Sequence, residues 1–83
     1  MKKYTHCVIE NDENLDLHII VEPEAHYVPL KEYEKVIVYG DQPASPITIR
    51  VSNDHSGKVF LALWPGDGDM IVEKDGKNIF DLP

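Results

Sequence analysis

Apolar side chains recur at every second position along much of the chain, which is the spacing of strands and not of helices. Leu15, Leu17, Ile19 and Val21 share one face of a run whose other face carries Asp16 and His18, with Ile20 interrupting the alternation. Ile47, Ile49 and Val51 alternate in the same way with Thr48, Arg50 and Ser52. Both runs predict strands with one buried and one wet face. Two further runs, Val36-Ile37-Val38-Tyr39 and Val59-Phe60-Leu61-Ala62-Leu63-Trp64, are apolar on both faces. That pattern fits a strand lying under a second layer or in an interface, and it marks both runs as the expected centre of the core. Helix has one opening, residues 28–35, where Leu30, Tyr33 and Val36 fall about a turn apart and Pro29 suits a first helical position.

Turn chemistry separates these runs at short intervals. Asn11-Asp12-Glu13-Asn14, which reads as the first hairpin turn, Asn53-Asp54-His55-Ser56-Gly57 and Pro65-Gly66-Asp67-Gly68-Asp69 are rich in residues that supply positive φ or Asx-type turns. Asp75-Gly76, flanked by Met70 to Glu73 and Asn78 to Phe80, predicts a terminal hairpin. The prolines, at positions 23, 29, 43, 46, 65 and 83, read as lying between the apolar runs, as their missing donor requires. Seven or eight short strands joined in this way predict an all-β fold, a compact antiparallel β-sandwich or small open barrel with at most one helical turn. Trp64, Phe60, Phe80 and Tyr39 are expected to carry a large share of its core.

At 83 residues the chain makes a single domain spanning residues 1–83. Its 15 acids against 8 Lys and Arg give a formal charge of −7, which repels phosphate and argues against direct binding of nucleic acid or of an anionic membrane surface. The lone Cys7 cannot form an internal disulfide and reads as a small buried apolar group, consistent with a reducing, cytoplasmic setting. No run approaches the ~18 apolar residues of a membrane-spanning helix, and no apolar signal core follows Met1. The sequence therefore reads as a complete, unprocessed soluble chain.

The charge is uneven. Nine acids and four bases fall in residues 1–42, against six acids and four bases in residues 43–83. Glu10, Asp12, Glu13 and Asp16 gather around one predicted loop, and Glu22, Glu24, Glu32 and Glu34 around the next two. Converging at one end of a sandwich, these loops would steer a basic partner; otherwise they keep a small protein in solution.

Candidate chemistry is sparse. His6, His18, His26 and His55 lie on separate predicted segments with no spacing that pre-places two metal ligands, so no metal or other cofactor is expected. His6 falls near a frayed start and His18 on the wet face of its strand. Glu22, Glu24 and His26 could supply a general acid and base, but only if a pocket drove their pKa values apart. The loop 65–69 offers carboxylates to Ca²⁺ without the ligand pattern of a calcium loop. No catalytic residue is assigned, and the expectation is a non-enzyme.

The run Val21-Glu22-Pro23-Glu24-Ala25-His26-Tyr27-Val28-Pro29-Leu30, followed by a Val-rich strand, Trp64-Pro65-Gly66 and Asp75-Gly76, resembles a family of small uncharacterised bacterial all-β proteins. The resemblance covers residues 15–80. It departs where the family has Trp-Gly after Glu-Pro and Pro-Gly before the Val-rich strand, positions held here by Glu24-Ala25 and Tyr33-Glu34. It implies an all-β fold and no activity.

The leading reading is a non-catalytic acidic β-domain of bacterial or phage type, acting by protein-protein interaction. It would form a homodimer that buries one of the two doubly apolar runs, or bind and inhibit a basic partner, with Asp12, Glu13, Glu22, Glu24, His26, Tyr27 and Trp64 as the candidate binding residues. The alternative is a small-ligand or carbohydrate-binding β-domain that stacks its ligand on Tyr27, Tyr33, Tyr39 or Trp64; an exposed aromatic sheet face would favour it. A small enzyme built on Glu22, Glu24 and His26 ranks third.

Overall fold

The computed structural model describes residues 2–43, 46–66 and 68–81, and within them the chain forms eight strands and one 3-10 turn. These are β1 (Tyr4–Glu10), β2 (Leu17–Val21), β3 (His26–Leu30), β4 (Lys35–Gly40), β5 (Thr48–Asn53), β6 (Val59–Trp64), β7 (Met70–Lys74) and β8 (Lys77–Asn78), with the 3-10 turn at Ile79–Asp81. They build a sandwich of two four-stranded sheets, ordered β1-β4-β7-β8 (sheet I) and β3-β2-β6-β5 (sheet II).

The inward positions of both sheets meet in an aliphatic core. Ile19 and Val21 of β2, Val28 and Leu30 of β3 and Leu63 of β6 face Val36 and Val38 of β4, Val72 of β7 and Ile79. Cys7 and Ile9 of β1 pack on its rim. β4 is central, as its apolar run predicts, and Leu63 and Ala62 of β6 are also buried. The aromatic residues are not the core. Trp64 and Phe80 are exposed and Phe60 and Tyr39 are half-buried, because each stands on an outer sheet face or past a strand end, while aliphatic side chains already fill the ~10 Å between sheets.

Other expectations change as well. Leu15 does not extend the β2 face; it precedes the strand and is 72% exposed. β5 has no buried face, since Ile49 and Val51 are 43% and 68% exposed although they point the same way as Leu63 and Leu61 opposite them. Sheet I does not reach over them. Residues 28–35 form no helical turn: β3 runs to Leu30, and the turn 31–34 closes with Glu34 N–H donating to the Lys31 carbonyl while Tyr33 takes φ +64°, outside the helical range. Pro29 lies inside a strand, on the sheet edge, with its carbonyl turned out to Lys74 Nζ at 3.2 Å. An outward position has no ladder bond to lose. Pro83 lies outside the described residues.

Pairing is mostly antiparallel, with one parallel pair, β2 with β6, in register from His18 opposite Phe60 to Val21 opposite Leu63. Residues 11–14 make no hairpin, because β1 pairs with β4 in sheet I and β2 belongs to sheet II. The chain crosses between sheets there, held by buried Asn11. The Asp75-Gly76 hairpin forms as predicted, both residues at positive φ, between β7 and a β8 of two residues. His6 is no frayed-end residue: it stands in β1 against Gly40, with Nε2 at 3.0 Å from the Gln42 carbonyl oxygen.

Candidate binding face

Side chains opposite one another in paired strands point to the same side of a sheet, so the ladder registers define the outer face of sheet II. Its central row runs Tyr27, Ile20, Ala62, Arg50 across β3, β2, β6 and β5. The neighbouring row runs Pro29, His18, Phe60, Ser52, and Trp64 with Thr48 stands on the far side of Ala62. Tyr27 is 50% exposed and Trp64 36%. The Tyr27 hydroxyl hydrogen-bonds with His18 Nδ1, and the two rings lie tilted with centroids 5.1 Å apart. This fixes the phenol against the sheet and leaves its outer surface free.

None of these strand positions carries a carboxylate, although the chain has 15 acids. Arg50 supplies the face's one strong charge. The outer face of sheet I is different, since Glu10 pairs with Lys35 across β1 and β4, and Lys3 bonds Glu73 at 2.8 Å while lying 4.6 Å from the centre of the Tyr39 ring. That hydrogen bond raises the Lys3 pKa.

The remaining predicted site residues divide between the two ends of the sandwich. Asp12 and Glu13 lie beside the turn 31–34, tied to it by Asn11 N–H donating to the Glu34 carbonyl and Tyr33 N–H donating to the Asn11 carbonyl. Glu22 and Glu24 lie at the opposite end of β2, in the loop to β3. Asp12 and Glu13 thus share one end of the sandwich with Glu32 and Glu34, while Glu22 and Glu24 stand apart, because a strand that pairs along its whole length separates its own two ends. Each end holds a groove. One of about 750 Å³ is lined by residues 11 and 13–17 with Gly57, Lys58 and Val59; the other, of about 210 Å³, is lined by Glu22, Pro23, Glu24, Asp69, Met70, Phe80 and their neighbours.

Glu22 is half-buried, with its backbone N–H donating to the Leu63 carbonyl, and Glu24 is exposed. His26 packs edge-on against the Phe80 ring, centroids 4.8 Å apart, instead of meeting either carboxylate. Among the described residues no hydrogen bond joins the three, and no group of three His, Cys, Asp or Glu side chains is placed to hold a metal. Asp67 of the loop 65–69 lies outside the described residues. Cys7 is half-buried, and burial raises its thiol pKa, so the thiolate is disfavoured. Among the described residues no helix is long and apolar enough to cross a membrane.

Sequence reasoning singled out Tyr27 and Trp64 but missed Phe60, His18, Ala62 and Arg50 as their companions. Only the β2–β6 register joins them, and a parallel pair of strands leaves no local trace. Comparison with known proteins adds nothing to the geometry: no family model, curated protein or solved structure matches the chain.

Proposed function

We propose that this is a non-catalytic binding domain that engages a protein partner through the outer face of sheet II. The observation that carries this reading is the grouping of Trp64, Tyr27, Phe60 and Arg50 on one sheet face whose paired strand positions hold no carboxylate, in a chain with net charge −7. Tyr, Trp and Arg are the residue types that dominate interface energetics, and charged groups are depleted at interface centres. The face is an open sheet surface, whereas both grooves lie at the ends of the sandwich. This favours a macromolecular surface over a small ligand, which takes a concave site. The acidic ends then flank the contact and favour partners with a basic rim. A cytoplasmic setting and kinship with the small bacterial β-proteins belong to the same proposal.

A second reading, carbohydrate stacking on Tyr27 and Trp64, is favoured by their exposed rings on a common face. One experiment separates the two. A photoreactive phenylalanine analogue at position 27 or 64 should give adducts with a different protein in host extract, and the same analogue at Val8, on the other sheet, should not. Binding of the purified chain to a glycan array, lost in Trp64→Ala, would instead establish the second reading. Equal adduct yields from all three positions with no glycan binding would refute both.

A further inference from the structure

A sheet edge is a row of unpaired backbone groups, and natural β-proteins blunt such edges with proline, lysine, bulges or very short strands. Three of the four edges here are blunted. β3 carries Pro29, whose carbonyl is capped by Lys74 Nζ. β1 carries a bulge between Thr5 and Cys7, and β8 has two residues. β5 is the exception. It runs six residues in unbroken register with β6, contains no proline, and is rich in the β-branched residues Thr48, Ile49 and Val51.

Its free backbone groups can be assigned. The Leu63 carbonyl accepts from Glu22 N–H of the β2 side, and Asp54 N–H donates to the Lys58 carbonyl at the hairpin end. In an antiparallel ladder the direction alternates residue by residue, so Ile49, Val51 and Asn53 turn their N–H and C=O outward. The same Ile49 and Val51 direct their side chains to the inner face that sheet I leaves uncovered.

We propose that β5 pairs antiparallel with β5 of a second copy of this chain, joining two copies of sheet II into one eight-stranded sheet. This goes beyond the binding-face reading and uses the outward backbone groups of the β5 edge, next to Arg50 and Ser52 of that face. Two observations point to a second copy as the occupant. From Gln42 to Trp64 the sequence holds one acid, Asp54, against Arg50 and Lys58, so two chains of charge −7 meet along the stretch where neither brings surplus acid. A two-fold axis at Val51 also makes the contact self-complementary. It sets Val51 against its own mate and Arg50 opposite Ser52, avoiding Arg50 opposite itself.

The test is the solution mass of the full chain by sedimentation equilibrium from roughly 1 to 500 μM, a span that brackets the micromolar affinity of a small edge contact. The expected mass at the upper end is twice the 9.4 kDa of one chain. Val51→Pro removes only an outward donor, as Pro29 does in β3, and Val51→Lys adds an edge charge at a position already open to solvent. Both should retain the far-ultraviolet circular dichroism of the parent and weaken association about tenfold or more. Tyr33→Ser, at an equally exposed apolar residue on another surface, should leave association unchanged. A parent chain of 9.4 kDa at every concentration would overturn the proposal, as would a dimer that survives both Val51 substitutions or is lost equally in Tyr33→Ser. If Val51→Pro fails to fold, Val51→Lys decides.

Discussion

Asn11 is a buried polar side chain, and all of its polar groups are used. Its Nδ2 donates to the Leu15 carbonyl at 2.7 Å and the Leu30 carbonyl at 2.9 Å, and its Oδ1 accepts from Glu13 N–H at 3.1 Å. One amide thus ties the β1–β2 crossing to the end of β3 while its own backbone holds the turn 31–34. Asn11→Ala strands the Leu30 carbonyl in an apolar setting, and an unpaired buried acceptor costs about 1–3 kcal/mol. Urea unfolding of the variant should show a loss in that range; a change under about 0.5 kcal/mol, the level of an ordinary surface substitution, would mean that water replaces the amide. The sequence shows Asn11 as a turn-former, which it is. Its burial is not legible, because it depends on β3 and β4, which come later in the chain and cross over it.

At the scale of elements, the turn 31–34 and β7 are joined through Glu34. Its Oε1 accepts from Lys31 N–H at 2.7 Å and from Lys74 Nζ at 3.1 Å, and these bonds, the backbone one foremost, lower its pKa. A carboxyl depressed in the folded state stabilises fully above its unfolded pKa, about 4.3, and loses that contribution as pH falls through the lower folded value. Asp54, lowered by the Ser56 hydroxyl and by the N–H groups of Lys58 and Ser56, acts with the same sign. The urea midpoint should therefore hold above about pH 5 and fall below about pH 4, with a shallower fall in Glu34→Gln. An unchanged slope in that variant would assign the acid sensitivity to other groups. The strands that are legible from local pattern, β2, β4, β6 and the β7–β8 hairpin, are those whose alternation, continuous apolar run or turn residues are self-sufficient. β5 shows the limit, because alternation reveals that a face is apolar and not whether another sheet extends over it. Pro29 shows another, since a proline inside a strand is readable only once that strand is known to be an edge.

For the whole molecule, the connections between strands matter more than any one contact. Sheet I joins β1 to β4 and β4 to β7, and sheet II joins β2 to β6, so each sheet draws on both halves of the chain. Neither half completes the core alone: Ile19 and Val21 need Leu61 and Leu63 beside them, and Val38 needs Val72. Amide hydrogens of β2, β4 and β6 should exchange last and together, through global unfolding. Exchange of β4 well before β2 would show that the sheets open independently. Pairing of distant segments is also slow, because loop closure is opposed by entropy before any contact rewards it. The parallel β2–β6 pair has a further consequence for synthesis. A nascent chain that has exposed β1 to β5 still lacks the strand on which β2 must lie, so this domain matures only after its C-terminal third has emerged from the ribosome. A chain cut after Lys58 should then be unfolded by nuclear magnetic resonance, with Val21 and Ile19 open to whatever chaperone meets them first.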